Sequence, residues 1–313
     1  MRVLELWRYP VKSMGGERVD VTAIGDRGLH GDRLWALRDE ERGVLTNAKR
    51  FPALLACAAR FVREPAPDVA PGQIPGVTIT LPDGATVSSD DPDVHARLSA
   101  LLGHRVTLCA LRPASDRAHY KGVKSTADDM RAEFAIDASE PLPDFSMMPM
   151  AKLLELGKFA TPPGTYFDAM ALHVVTTASL AVLRTKGTSD FDVRRFRPNV
   201  LIETTEGGLV EAGWTGGALV LGGCTAFVDC PTPRCSMPTR AQADLGADPK
   251  VLKTIVREAE RCLGAYATVT HPGEVRVGDA VRFEPPETSR IGDWARARAT
   301  GLKRMLIRAA MPK

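Results

Sequence analysis

The chain has 313 residues, of which 44% are hydrophobic and 25% charged, a composition typical of soluble globular proteins and sufficient for one large or two ordinary domains. Its 41 Lys and Arg residues nearly balance 38 Asp and Glu residues, and a net charge of +3 excludes the strong overall field of nucleic-acid-binding proteins. We therefore expect no nucleic-acid partner, and any electrostatic specificity must be local.

The sequence also indicates a compartment. It begins without the basic segment and apolar core of a signal peptide, and its six cysteines are spread along the chain, as in proteins of a reducing cytoplasm. No apolar stretch reaches about 18 residues, the length needed to cross a bilayer. We predict a cytoplasmic protein without a transmembrane segment.

Short runs of branched residues, separated by Gly, Asp and Pro, predict strands of a barrel or sandwich in the first part of the chain. They cover residues 2–9, 20–24, 34–37 and 76–81. A turn signal at Pro82-Asp83-Gly84 predicts a hairpin with residues 85–87. A helix is predicted next, over residues 94–102, because acidic residues and a proline precede it and Gly103 follows it.

Regular patterns are interrupted between residues 111 and 170, where we predict a long connecting segment with little secondary structure. They resume afterwards. Strands are predicted over 172–176, 199–203 and 218–221, a short helix over 178–183 and a closing hairpin over 274–281. An amphipathic helix is predicted over 248–261, with one apolar side formed by Val251, Leu252, Ile255, Val256 and Ala259. The basic tail after residue 288 predicts a helix that packs on the protein or, alternatively, contacts a membrane surface peripherally.

Cys235, in the run Thr232-Pro233-Arg234-Cys235-Ser236, is the first candidate for chemistry. A metal-binding thiol must lose its proton, and the neighbouring cation of Arg234 favours the thiolate. A small buried hydrophobe is the plainer interpretation of a cysteine. Two further alternatives are a Cys230–Cys235 disulfide with a redox role and a zinc or iron–sulfur site, although no spacing is of the CxxC type. That site would use Cys224, Cys230, Cys235 and Cys262.

Three other segments carry groups that could bind an anion. Arg197 and Asn199 bring a guanidinium and an amide together, a pair able to hold a phosphate and the polar edge of a ring. Lys12 and Ser13 offer an ammonium and a hydroxyl, and Arg33 a second guanidinium. Each has an ordinary alternative as a salt bridge, a turn cap or a solvated surface residue.

Asp168 and His173 are candidates for the substrate side of such a pocket. The alternatives are an acid in a turn and a histidine whose ring is satisfied by its strand neighbours.

Four of these segments together resemble the MOSC family, named for the C-terminal domain of molybdenum cofactor sulfurase. They are residues 9–13, 28–33, 196–199 and 232–239. Their order resembles the two-domain form and, within it, the amidoxime-reducing branch. The resemblance implies a mixed α/β, β-rich fold with an N-terminal β-barrel domain (1–112), the connecting segment (113–170), a MOSC β-barrel domain with a few helices (171–285) and the helical tail (286–313).

The resemblance implies that the molybdenum cofactor, a molybdopterin carrying molybdenum, binds between the two domains. Cys235 would ligate the metal, and Cys235 and Asp168 would be the catalytic residues. Thr176 and Ser179 match a hydroxyl-bearing segment that the family places at its cofactor. The cofactor-binding residues implied are Lys12, Ser13, Arg33, Thr176, Ser179, Arg197, Asn199 and Arg234.

By the same resemblance, the expected reaction is the reduction of an N-hydroxylated or N-oxide small molecule by oxygen transfer to molybdenum. The chain has no C-terminal ferredoxin-like cysteine cluster, so a separate flavin or iron–sulfur protein would supply electrons. Ser236-Met237-Pro238-Thr239 departs from the Thr and nearby Asp that commonly follow this cysteine in the branch, which leaves the substrate class open. The alternatives are a carrier of cofactor or of sulfur on Cys235, and a specialised oxygen- or sulfur-transfer enzyme.

Overall fold

The computed structural model describes residues 1–140 and 142–286. The predicted tail therefore lies, from residue 287 onward, outside the described residues. Strands dominate and helices are few, which confirms the predicted β-rich, mixed α/β fold. In the described ranges, no helix combines the length and the apolar character needed to cross a membrane.

The strands of the first half are short. Their bounds are β1 (Arg2–Arg8), β2 (Glu17–Val19), β3 (Val21–Gly25), β4 (Gly28–Leu29), β5 (Trp35–Asp39), β6 (Val44–Leu45), β7 (Ala58–Phe61), β8 (Val77–Thr80), β9 (Thr86–Ser88) and β10 (Val106–Ala110). A 3₁₀ turn at Pro52–Ala56 separates β6 from β7. The strands of the second half are β11 (Leu172–Thr176), β12 (Val200–Glu203), β13 (Ala218–Leu221), β14 (Cys224–Pro233), β15 (Cys262–His271), β16 (Gly273–Arg276) and β17 (Val281–Glu284).

The helices connect these strands. They are α1 (Val94–Leu102), α2 (Arg117–Tyr120), α3 (Ala127–Phe134), α4 (Met150–Leu156), α5 (Thr177–Lys186) and α6 (Lys250–Ala259), with 3₁₀ turns at Val193–Arg195, Val210–Gly213 and Met237–Thr239. Helix α1 has the predicted bounds because its signals are local: Gly103 ends it in the left-handed conformation, with φ 59°.

Among the described residues, the largest sheet has eight strands in the order β17-β13-β14-β15-β11-β12-β1-β2. Strand β12 pairs antiparallel with β1 and parallel with β11, and α5 forms the crossover from β11. The main sheet thus combines strands from both predicted domains. Sheets of three strands, β10-β5-β6 and β7-β8-β9, surround a separate apolar core in the first half.

The main sheet is covered on both faces. Val174 and Val175 are neighbours on β11 and pack into different cores, because side chains alternate along a strand. One core lies against α5 and α6, where Val251 and Ile255 are fully buried. Each such side chain contributes about 1.5–3 kcal/mol by burial. Val256, which the sequence pattern places on the same side of α6, is instead 38% exposed.

The predicted closing hairpin is wrong. Residues 274–281 contain β16 and the start of β17, but β16 pairs with β3 and β17 pairs with β13. The loop between them is bound by β1: Val3 N donates to Asp279 O at 2.9 Å, and Gly278 N donates to Val3 O at 2.8 Å. The first strand therefore takes the hydrogen bonds that a hairpin would have used.

The connecting segment is also more ordered than predicted. Residues 113–170 contain α2, α3 and α4. A capping box starts α3: Asp129 N donates to Thr126 Oγ1 at 3.0 Å, and Thr126 N donates to the Asp129 carboxylate at 2.8 Å. This Thr-x-x-Asp pattern is visible in the sequence and is the signal for α3 that the prediction missed.

Candidate functional site

Lys12 and Asp168, two predicted site residues distant in sequence, meet in an ion pair. Lys12 Nζ donates to Asp168 Oδ1 at 2.5 Å and to Tyr166 O at 3.0 Å. The Lys12 side chain is 3% exposed and that of Asp168 is 45% exposed, so the carboxylate faces an opening and the ammonium lies behind it. Burial lowers the pKa of Lys12, and the charge of Asp168 partly offsets this.

Asp168 is ionised in this environment. Burial acts to raise the pKa of its carboxyl, but the positive charges of Lys12, Lys49 and Arg33 outweigh burial and hold the pKa well below its ordinary value. An ionised carboxylate accepts hydrogen bonds and protons, and it cannot donate them. Asp168 is therefore suited to binding a donor group of a ligand.

Tyr9 lies between two predicted site cations. The guanidinium carbon of Arg197 is 4.2 Å from the ring centroid of Tyr9, and that of Arg33 is 5.2 Å from it. Arg197 Nη1 donates to Met14 O, whereas its buried Nη2 has no hydrogen-bond partner among the described residues. Burial and the charge of Arg33 lower the pKa of Arg197 to about 10. A buried guanidinium with an unpartnered nitrogen is costly unless a ligand completes it.

Backbone strain collects at the same residues. Among the described residues, seven non-glycine positions have positive φ, and three of them are the predicted site residues Ser13 (72°), Arg33 (50°) and Arg197 (53°). Each such conformation costs on the order of 1–3 kcal/mol, and it persists where the surrounding structure enforces it. This concentration supports a functional role for the cluster.

Arg234 and His173 form the wall next to the candidate metal ligand. Arg234 Nη2 donates to Phe196 O at 2.7 Å, and its Nη1 lies 3.3 Å from His173 Nε2. Burial and the charge of Arg234 hold the pKa of His173 well below its usual value, so the ring is neutral. A neutral ring that accepts from Arg234 at Nε2 carries its proton on Nδ1, which lies 3.4 Å from Arg197 O.

Cys235 lies two residues after the end of β14 and is half-buried. Its thiol lies in the electrostatic field of Arg234, Lys49 and Arg261. All six cysteines belong to the described residues, and none forms a disulfide. Within the described ranges, no three His, Cys, Asp or Glu side chains form a metal-ligand group, so the four-thiolate alternative has no geometric support.

Lys49, Arg261 and Tyr266 belong to this site and were not predicted. Lys49 lies in the electrostatic field of Cys235 and Asp168 and forms an ion pair with Glu133 of α3. Tyr266 lies in the field of Asp168 and Arg234, and burial raises the pKa of its hydroxyl to about 12. None of the three lies in a motif, and only the fold brings them here.

The hydroxyl of Ser13 explains the position of Lys49. Ser13 Oγ accepts a hydrogen bond from Ala48 N at 2.9 Å, and it thereby fixes the backbone next to Lys49. The amide of Asn199 is also used within the protein: its Oδ1 accepts from His173 N at 3.2 Å and its Nδ2 donates to Trp7 O at 3.4 Å. These side chains fix the backbone around the site.

Thr176 and Ser179 bind a different group. Thr176 Oγ1 and Ser179 Oγ both donate to Glu211 Oε2, at 2.7 and 2.6 Å, and the two residues are completely buried. Thr176 also caps α5 by accepting from Ser179 N at 3.1 Å. Since Thr176 lies three residues after His173 on β11, the two side chains point to opposite faces of the sheet.

The net charge of the cluster is positive. Among the described residues of the site, the carboxylates that pair with cations are those of Asp32, Glu133 and Asp168, and they are fewer than the cations. The cations are Lys12, Arg33, Lys49, Arg197, Arg234 and Arg261. A buried excess of guanidinium and ammonium groups next to a thiol is suited to an anionic ligand that carries a metal.

Family models match both halves of the chain. Residues 1–102 match the model of the MOSC N-terminal beta barrel domain, and residues 162–282 match that of the MOSC domain. No curated protein matches.

Two solved structures are similar to this chain. The YuaD protein of Bacillus subtilis is 11% identical, with 91% of this chain and 96% of that chain covered and a TM-score of 0.44. YiiM of Geobacillus stearothermophilus is 18% identical, with 36% and 54% covered and a TM-score of 0.30.

Proposed function

We propose that this protein is a molybdenum-dependent oxidoreductase. The proposal is supported by the family matches, which join a MOSC N-terminal β-barrel domain to a MOSC domain in one chain. MOSC domains are associated with molybdenum-cofactor-binding proteins of sulfurase and reductase type. The proposed reaction is the reduction of a small N-hydroxylated compound or N-oxide. A separate flavin or iron–sulfur protein would supply the electrons.

The residues present fit the cofactor. The observation that carries the proposal is the buried, unpartnered Nη2 of Arg197, which lies in one positive cluster with the Cys235 thiol. We assign Lys12, Arg33 and Arg197 to the phosphate and pterin, and Cys235 to the metal, with Arg234 beside it. When bound, molybdenum supplies two-electron oxygen-atom-transfer chemistry.

The protein's own groups would orient the substrate. Asp168 is ionised and 45% exposed, so it can accept a hydrogen bond from an N-hydroxyl or amino group. Tyr266 is protonated at neutral pH, as tyrosine ordinarily is, and burial raises the pKa of its hydroxyl further, to about 12, so it can donate a hydrogen bond. We assign Asp168 and Tyr266 to opposite hydrogen-bonding roles at one substrate.

Four predicted cofactor residues are assigned a different role. Ser13, Asn199, Thr176 and Ser179 use their side chains on Ala48, His173, Trp7 and Glu211. We propose that they shape the backbone around the cofactor, and that any contact they make to it comes from main-chain groups.

Activity of the metal-loaded protein tests the proposal. The chain is expressed in a host that makes molybdopterin and assayed with reduced methyl viologen against an amidoxime, a hydroxylamine and an N-oxide. We expect reduction that Cys235→Ala abolishes. The control Cys109→Ala, which changes a half-buried cysteine on β10, should keep it. Stoichiometric metal without reduction of any compound would favour a different transfer reaction. Labile sulfur on Cys235 without molybdenum would favour a carrier.

A further inference from the structure

The C-terminal end of α3 covers the loop that carries Cys235. Ser236 N, next to the cysteine, donates to Glu133 O at 2.9 Å. Lys49 Nζ forms an ion pair with the Glu133 carboxylate, and Arg261 Nη1 donates to Phe134 O at 2.7 Å. Two consecutive residues of α3 therefore make three polar contacts around one thiol.

The rest of α3 is weakly held. Asp128, Asp129 and Ala132 are exposed. The ring of Phe134 is buried and packs 5.3 Å from that of Phe145, which in turn packs against an apolar cluster that includes Cys230 of β14. Phe134 is the one buried side chain of α3, and a helix with a single apolar anchor has low local stability.

The two cations that hold α3 are also cations of the site. Lys49 lies in the field of both Cys235 and Asp168, and Arg261 lies in the field of Cys235 and Cys262. In this structure Lys49 is matched by one carboxylate and Arg261 by one carbonyl. A phosphate group carries more charge and more acceptor oxygens than either, and it binds such cations more strongly.

We propose that Lys49 and Arg261 are anion-binding residues that the end of α3 occupies in this structure, and that a phosphate-bearing ligand releases α3 by taking both cations. This inference deepens the proposed function because it concerns the same site. It couples filling of the anion site to uncovering of the Cys235 loop. Access to the thiol then depends on whether an anion is present.

Hydrogen exchange of the full chain, purified without cofactor, tests the inference, with inorganic pyrophosphate as the probe. Pyrophosphate should bind and speed the exchange of the amides of α3. Glu133→Gln should speed it without any anion by about twofold to fivefold, the range that the loss of a partly exposed ion pair gives. Lys49→Gln should do the same and should weaken pyrophosphate binding.

A closely matched control is available in α4. Lys152 pairs with Glu155 at 2.6 Å, and their side chains are 23% and 31% exposed, against 24% and 29% for Lys49 and Glu133. Lys152→Gln should leave exchange in α3 unchanged. The inference is overturned if pyrophosphate fails to bind, if it binds without changing α3, or if Glu133→Gln behaves like Lys152→Gln.

The inference and the proposed function can fail separately. A chain that retains molybdenum and turns over substrate, but whose α3 ignores pyrophosphate, overturns the inference alone. A chain whose α3 responds to pyrophosphate, but which never takes up molybdenum, overturns the proposed function alone.

Discussion

Arg197→Met should leave the protein without cofactor nearly as stable as before while removing its capacity to bind cofactor. The substitution removes a buried guanidinium whose Nη2 lacks a partner among the described residues. It places a shorter, unbranched apolar side chain at a position with φ 53°. A residue placed for a ligand is expected to contribute little to the stability of the empty protein, and it can even reduce it.

The structure gives the size of the effect. Burial lowers the pKa of Arg197 to about 10, and at about 1.36 kcal/mol per pKa unit the buried charge costs about 3 kcal/mol. Against this, the variant loses the cation–π contact with Tyr9, worth about 1–2 kcal/mol, and leaves Met14 O without its donor, at about 1–3 kcal/mol. The gain of about 3 kcal/mol and the losses of about 2–5 kcal/mol largely offset each other. We expect the free energy of unfolding to lie between about 1 kcal/mol above and about 2 kcal/mol below that of the wild type.

Arg195→Met is the matched control because Arg195 is similarly buried, lies two residues earlier and also has one buried guanidinium nitrogen, Nε, without a partner among the described residues. Its guanidinium donates to Pro238 O at 3.2 Å, Arg240 O at 3.3 Å and Gly246 O at 2.8 Å. Removing it leaves three carbonyls without a donor, at about 1 kcal/mol or more each. This variant should lose about 3 kcal/mol.

Urea unfolding of both variants without cofactor, with molybdenum content measured in parallel, checks the pair. Arg197→Met should unfold near the wild-type midpoint and hold almost no molybdenum. The reasoning is refuted if Arg197→Met loses as much stability as Arg195→Met, because Arg197 would then be a structural residue.

Three further predictions concern stability and pH. Lys12 and its neighbours hold the pKa of Asp168 low, so above about pH 4 the wild type should have a higher free energy of unfolding than Asp168→Asn. This advantage should shrink as the pH falls below about 4. Urea titrations between pH 3 and pH 6 measure the difference, and a difference that stays constant would contradict the prediction. Burial raises the pKa of Glu211, so its effect on stability has the opposite dependence on pH. From about pH 4 upward the wild type should lose stability relative to Glu211→Gln. If the difference between the two proteins does not grow with pH in the same titration, the pKa of Glu211 is not raised. Gly28→Ala should cost about 3 kcal/mol or more, because its Cβ would lie 2.0 Å from a backbone carbonyl oxygen at φ +76°, whereas Gly72→Ala, at φ +90° with nothing within 4 Å, should cost only about 1 kcal/mol; similar unfolding midpoints for the two would refute the steric argument.

The sequence predicted correctly a helix whose start and end signals both lie within its own segment. The run from Val94 to Gly103 carries its own start and stop, and the structure confirms α1 with the same bounds. The predicted closing hairpin was wrong because strand pairing depends on residues far away in sequence. Val3 binds the backbone between β16 and β17, and no pattern within residues 274–281 indicates this.

The site shows the same limit. Resemblance selected Cys235, Lys12, Arg33 and Arg197, and the structure places them in one positive cluster. Lys49 was missed because its position depends on the hydrogen bond from its neighbouring amide to the Ser13 hydroxyl. A lysine in an ordinary polar run carries no signal of that contact in the sequence.

Thr176 and Ser179 show that a sequence motif does not specify which group a side chain contacts. The sequence places their hydroxyls in the expected segment, but a buried carboxylate, that of Glu211, lies close enough to accept both. Glu211 is more than 30 residues away in sequence, as the separations of 35 and 32 residues show. Its role could be recognised only from the fold.

The most direct test of the central claim is the content of molybdenum and pterin in the purified chain, made in a host with ample supply of both. The account predicts about one molybdenum and one pterin per chain, with the metal lost in Cys235→Ala and kept in Cys109→Ala. A wild-type chain with neither molybdenum nor pterin, or a Cys235→Ala chain that keeps its full metal content, would contradict it.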